Sequence, residues 1–497
     1  MSPAFVSAHV EPSRLARSVA TAVGDGGRFA GLVATAHDDG STDLRALVAT
    51  PSELATIETV LEPGVRGYPA LTPLVASAGW YEREIHDLFG IEPIGHPRLD
   101  PLILPLNADD QRPRPGNREG PTHLEPDAAA LSSHLGGEGV FTIPYGPVRS
   151  GVFESVEYLV ETSGEEIPHL RTRVYHKHRG LDRRFGDFQV ADAVLLAERV
   201  EGTASVAHAT AFCQAIEALG GVDPPRNALL VRLVHAELER VAVHLDSIIR
   251  HTEGAGQAVA YARMSLHKEG VLRLRARLCG HRFGRGVVVP GGVAGPLALS
   301  PAEATVEVTR IDRAIAEDCH ALMATPSFLD RLRGTGILPR QLASEHGALG
   351  PVGRGSGLAA DVRIERSYGA YQFLGLEAVA GFAEGDALAR QRVRIEEISQ
   401  ALHLVRQALE ELRRSGSATW SHNVPPPDGA AWSSVEAPQG ELVYLVEAES
   451  GRLVRVKPRS ASFHNLALFA QAFRGDIFTD FVFIEASFGL SIAGVAG

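Results

Sequence analysis

Six prolines fall within residues 101–126 (Pro101, Pro105, Pro113, Pro115, Pro121 and Pro126), and this crowding restricts the 497-residue chain more than any other feature. Each one fixes φ and removes a backbone donor, so the stretch resists helix and sheet alike and reads as a linker. The chain divides accordingly into residues 1–105, a linker at 106–138, and residues 139–497. Before the linker, RFAGLVATAHD and TDLRALVAT form a strand pair turned at Asp39-Gly40. Residues 72–89 carry a helical pattern ended by Gly90. The first unit is therefore predicted to be a small α+β domain.

Beyond the linker the pattern lengthens. Strands are expected at 152–160 and 166–173, broken at Ser163-Gly164. From Arg226 to Thr252, Leu230, Leu233, Val234, Leu238, Val241, Leu245 and Ile248 recur close to a 3.6-residue period, which predicts a long helix. Ser300-Pro301-Ala302-Glu303 is a helix start: an N-cap serine, a proline at the first helical position and an acid placed for a capping box. Another amphipathic helix is expected over 389–414, closed by Gly416. The overall expectation is an α+β chain whose second domain is mainly helical with small β-sheets.

Composition removes several functions. With 44% hydrophobic and 22% charged residues the chain can bury a large core. A balance of 48 basic against 60 acidic residues argues against a nucleic-acid surface. Cys213, Cys279 and Cys319 are isolated, which excludes a disulfide framework and a four-thiolate metal or cluster site held by this chain alone. The N-terminal residues lack the apolar core of a signal peptide, no run of 18 uncharged apolar residues suggests a membrane span, and no Gly-rich dinucleotide fingerprint is present.

Four constellations remain as chemistry. In Trp80–Ile91, Glu82, Arg83 and Asp87 read as a solvated charged face, with an interface knob as the alternative. His176 and His178 could ligate a metal, but no third ligand follows at fixed spacing. Glu198, Arg199 and Glu201 precede a helix of small residues that includes His208. Glu237, Arg240 and His244 fall within about 60° on a helical wheel, so they form either an outward polar face or, if buried, a hydrogen-bonded proton path.

Residues 80–97 resemble the signature of the C-type component of respiratory complex I (NADH-quinone oxidoreductase). The remainder resembles the D-type component of that complex and, more closely, the large subunits of formate hydrogenlyase and related energy-converting [NiFe] hydrogenases. The markers are Pro168–Arg173 with Lys177–Asp182, including His178 and Arg179, then Glu198-Arg199-Val200, Glu237–Arg240, Gly350–Arg354, Asp361-Val362-Arg363, Glu436–Glu441 and Phe463–Leu466. The C-then-D order in one chain is also that of the hydrogenlyase large subunit. The resemblance implies four thiolates for nickel and iron at the positions of Glu201, Ala204, Ser491 and Gly494; here all four sulfurs are missing, so no metal is expected and [NiFe] chemistry is disfavoured. It also implies a quinone-site His where Arg149 stands, a Tyr at Gly202 and an Asp near Glu253. The expected cavity is lined by Glu201, Arg149, His208 and Glu253, with quinone as a candidate ligand. The implied setting is a complex with an iron–sulfur small subunit and integral membrane antiporter-like subunits, on the cytoplasmic face. The alternative is a paralogue that keeps the fold and interfaces without catalysis.

Overall fold

The computed structural model describes residues 6–104, 135, 139–149, 154–415 and 418–497. The expected linker falls almost wholly outside these residues, as does Gly416. The N-terminal sheet has four strands, in the order Val6–His9, Leu54–Leu61, Thr42–Ala49, Arg28–Ala36. The first pair is parallel and the others are antiparallel. Strand Arg28–Ala36 buries nearly every residue, because the Leu15–Gly24 and Gly79–Phe89 helices and the rest of the chain cover both its faces. The second helix starts at Gly79, after a short 3-10 turn at Ala76–Ala78, and ends on Gly90 at φ 67°, a left-handed position that glycine adopts freely.

The charges of that helix are not solvated. Glu82 is fully buried and accepts the amides of Leu71 (2.7 Å) and Thr72 (3.0 Å). Asp87 accepts those of Leu102 and Ile103 at 2.7 and 2.8 Å, and Glu84 meets Lys457 at 2.7 Å. The solvated-face expectation fails here because irregular backbone on either side needs acceptors inside the fold.

The second part combines a three-stranded sheet (Phe141–Tyr145, Glu157–Thr162, His169–Arg173) with long helices Ser205–Gly220, Arg226–Gly254, Ala258–Cys279, Pro301–Met323 and Ala387–Arg414. Arg226–Gly254 packs along Ala387–Arg414, and their contact combines apolar side chains with buried polar pairs such as His244 with Glu397 and His251 with Gln391. Ser300 and Glu303 form the expected capping box. An antiparallel sheet of Gly429–Ala437, Gly440–Glu449 and Arg452–Arg459 then lies against Ser205–Gly220. One apolar core joins these helices and this sheet. A second contains Phe29 and Tyr81 of the N-terminal unit together with Phe463, Phe469, Phe488 and Val495 near the C-terminus. The fold is α+β, with small sheets around a helical centre.

An ionic knot adds to the contact between the N-terminal sheet and the rest. Glu441, 1% exposed, receives Arg28 at 2.6 Å, Arg459 at 2.7 Å and Arg366. Arg45 reaches Glu447, and Tyr81 shares a 2.9 Å hydrogen bond with His464.

Candidate functional site

A cavity of about 370 Å³ opens between the long helix, the second sheet and the C-terminal segment, with Arg149, Glu154, His244, Asp246, Arg394 and Ser491 on its wall. Arg149 grips Glu485 through two hydrogen bonds of 2.9 and 2.8 Å and stacks near Tyr145 and Tyr158, whose ring centres lie 5.1 and 5.3 Å from the guanidinium. Glu154 accepts the Ala493 amide at 2.8 Å and the Ser491 hydroxyl at 3.3 Å, which fixes the start of the last helix, Ile492–Ala496. Arg394 donates to the carbonyls of Arg390 and Phe488 (3.1 Å each), and burial lowers its pKa to about 10.

Glu201 and His208, both 1% exposed, are not on this wall, so of the four residues expected to line the cavity only Arg149 does. His208 Nε2 stands 3.4 Å from Glu201 Oε1, and its Nδ1 shares a 2.7 Å hydrogen bond with the Tyr444 hydroxyl. Neither Glu201 oxygen receives a hydrogen bond among the described residues. A Cβ built on Gly494 would fall inside the Glu201 carboxyl group. Two of the positions that the resemblance assigns to thiolates thus form one complementary pair, in which the acid fills the room a fourth-position side chain would need. Ala204 is the buried N-cap residue of Ser205–Gly220, and Ser491 caps the last helix. An acid, a methyl, a hydroxyl and a glycine do not fit a four-sulfur bimetallic cage. Among the described residues no group of three or more His, Cys, Asp and Glu could hold a metal ion.

Glu253 is corrected by the structure: it is exposed in the last turn of the long helix and is not on the cavity wall. The acid this helix offers the cavity is Asp246, about two turns earlier, paired with Lys268 at 2.5 Å and Arg250 at 3.2 Å. His178 Nδ1 bonds the Ala496 carbonyl at 2.6 Å, and Arg179 donates to the carbonyls of Arg199, Val200 and Ala493. These motif residues therefore anchor the C-terminal segment. Glu198 is buried and accepts the Gly286 amide at 2.5 Å; Arg199 reaches back to the Leu195 carbonyl.

The polar stripe of the long helix is buried. Glu237 accepts Arg240 at 3.0 Å and the Tyr371 hydroxyl at 2.5 Å. Arg363, held by Asp361 at 2.7 and 3.0 Å, approaches Glu237 at 3.3 Å. His244 meets Glu397 at 2.7 Å, and Arg354 bridges Glu397 (2.7 Å) and Glu436 (3.0 Å). Burial would raise the Glu397 carboxyl, but Arg354 and His244 hold it well below the usual range. Sequence reasoning does not connect Glu397, Arg354 and Tyr371 to this stripe; the helical period of Ala387–Arg414 puts Glu397 on its buried side, which is the available signal.

Residues 255–424 and 417–496 match the model of the respiratory-chain NADH dehydrogenase 49 kDa subunit, and residues 10–115 match that of the 30 kDa subunit. The chain is 30% identical over 361 residues to the membrane-bound hydrogenase subunit alpha of Pyrococcus furiosus, covering 69% of this chain and 84% of that protein. It is 27% identical over 442 residues to formate hydrogenlyase subunit 5 of Escherichia coli, with 86% and 76% covered. To the C/D subunit of NADH-quinone oxidoreductase from Bacteroides thetaiotaomicron it is 24% identical over 409 residues, with 78% and 76% covered. The chain belongs to the family that unites complex I 49 kDa subunits with the large subunits of membrane-bound hydrogenases, and carries a 30 kDa-type unit fused before it.

Proposed function

We propose that this chain is the core subunit of a membrane-associated, complex I-like oxidoreductase complex, and that its cavity receives electrons from an iron–sulfur small subunit without using a [NiFe] centre. One observation carries this reading: a roomy, charged cavity persists beside a ligand position that Glu201 has filled against Gly494. A cavity with Arg149, Arg394 and His244 on its wall suits a small organic acceptor whose oxygens gain negative charge on reduction, a quinone among them. No helix of the described residues is long and apolar enough to cross a membrane, which agrees with attachment to the cytoplasmic face through integral antiporter-like partners. Arg149, fixed by Glu485, would orient the acceptor; the buried Glu201 and His208 form a polar pair outside the cavity wall.

Purification of the native complex, with subunit identification and metal analysis, tests the proposal. The expected result is co-purification with a cluster-bearing small subunit and membrane subunits, iron present and nickel below stoichiometry. Recovery of the chain alone and metal-free would favour a non-catalytic paralogue; stoichiometric nickel or hydrogen evolution would overturn the reading. Unchanged activity of the complex in both Glu201→Gln and Arg149→Ala would remove those two residues from the site.

A further inference from the structure

Two cations on the cavity wall meet no carboxylate among the described residues. Arg394, 3% exposed, is the inner one. A guanidinium carries five N–H donors. Arg394 uses two of them, on the carbonyls of Arg390 and Phe488, and leaves the rest without a partner among the described residues. The other is Lys177, half-buried, whose ammonium makes no ion pair there. The remaining charges of the wall are engaged. Glu485 accepts both bonds from Arg149 and one from the Tyr158 hydroxyl; Asp246 holds Lys268 and Arg250; Glu154 accepts the Ala493 amide and the Ser491 hydroxyl. Burial, against the pull of Glu397, lowers His244 to about 4, so it adds no charge near neutral pH.

The groups behind the wall do not take the free donors of Arg394 either. Glu397 lies about one turn further along the same helix, but its oxygens are bonded to Arg354 and His244 at 2.7 Å each, with Arg240 at 3.8 Å. It offsets the charge of Arg394 through space and accepts none of its hydrogen bonds. Arg390, about one turn the other way, donates to the Ser487 hydroxyl and to the carbonyls of Gly385 and Gly336, and feels Asp386 and Asp476 only at a distance. Space for the guanidinium comes from Gly489. Its φ of 62° is a left-handed position, and a Cβ there would stand 2.9 Å from Nη2 of Arg394. A side chain at 489 would push the guanidinium from its place on the wall.

A planar guanidinium with free donors, held in place by its neighbours, matches the two oxygens of a carboxylate. The three acids of the wall disfavour a doubly charged phosphate, and a volume of about 370 Å³ suits a small organic molecule. We propose that the cavity binds a small organic acid through its carboxylate, seated on Arg394 and steadied by Lys177. The carboxylate is an anchor: no bond forms or breaks at it. That the bound acid is also the electron acceptor rests on the reading above; its binding does not.

Calorimetric titration of the purified full chain with benzoate, a redox-inert carboxylate, tests the site without any partner. The wild type should bind benzoate at one saturable site and should not bind benzamide, its uncharged counterpart. Arg394→Gln should weaken benzoate by about 10- to 100-fold, the range for hydrogen bonds to a charged group. Lys177→Gln should weaken it by about two- to five-fold, as for a partly exposed ion pair. No binding of benzoate, equal binding of benzamide or inorganic phosphate, or unchanged affinity in either variant would each overturn the proposal. Crystals of the wild-type chain soaked in 4-bromobenzoate decide even if Arg394→Gln fails to fold: a carboxylate on Arg394 supports the site, and one seated elsewhere overturns it. Benzoate bound as expected, alongside a native complex without an electron-delivering partner, would leave this inference standing and remove the acceptor reading. A complex that holds such a partner, with a chain that ignores benzoate, would do the reverse.

Discussion

Gly494→Ala is a sharp probe of the close packing of Glu201 against Gly494. The new methyl would occupy the Glu201 carboxyl group, and that side chain is 1% exposed, so it has little room to withdraw. Overpacking of this kind costs about 1–3 kcal/mol. Alanine in place of glycine within the helix Ile492–Ala496 returns about 1 kcal/mol, so the net loss should be about 0–2 kcal/mol. In a Glu201→Ala background the overlap disappears and only the helical gain remains. Gly494→Ala should then be stabilising by up to about 1 kcal/mol; the helical gain cancels in the cycle, which leaves a coupling of about 1–3 kcal/mol between the two sites. Urea unfolding of the four proteins (wild type, two single variants and the double variant) supplies the cycle. A coupling within about 0.5 kcal/mol of zero would refute the account, because Glu201 would then not occupy the space at Gly494.

Three further outcomes are expected. Glu436 is raised in the folded chain from 4.5 to about 7, first by burial and then by Asp361, so its stabilising share is complete below about pH 4.5 and is lost as pH rises toward 7, by up to about 3 kcal/mol; urea unfolding at pH 5 and pH 8 should show this decline in the wild type and a shallower one in Glu436→Gln. Glu441 is the opposite case: burial alone would raise it, but Arg28, Arg366 and Arg459 depress it, so its contribution is complete above the ordinary carboxylate range and is lost progressively as pH falls below that range into strong acid. Glu441→Ala should cost about 3–5 kcal/mol by stranding buried guanidiniums, and unchanged midpoints in chemical denaturation would contradict this. His178→Ala removes the bond to the Ala496 carbonyl, and hydrogen exchange should speed up at residues 492–496 while the long helix stays protected.

Local chemistry carried much of the architecture. The strand pair at 28–36 and 42–49, the Ser300 capping box and the period of Arg226–Gly254 are short-range patterns, and each produces its element wherever a core is available to cover it. Burial of polar groups was less legible, because it depends on partners distant in the chain. Glu82 reads as a surface acid until the backbone of Leu71 and Thr72 arrives beside it, and Glu397 gains its meaning from Arg354 and His244 on other elements. Glu253 follows from register along a helix, whereas the cavity is set by which turn of that helix faces the C-terminal segment, and that turn presents Asp246. Of the family-motif residues, His178 and Arg179 are fasteners of the last helix.

The knot at Glu441 bears on how such a fused chain can be rebuilt. Arg28 and Arg45 project from the first sheet onto acids of a strand some four hundred residues later, Glu441 and Glu447. Grafting the opening hundred residues of a relative onto this body would therefore depend on two cations: a donor that lacks them would take Arg45 from Glu447 and leave Glu441 with two of its three arginines, however well its apolar side chains matched.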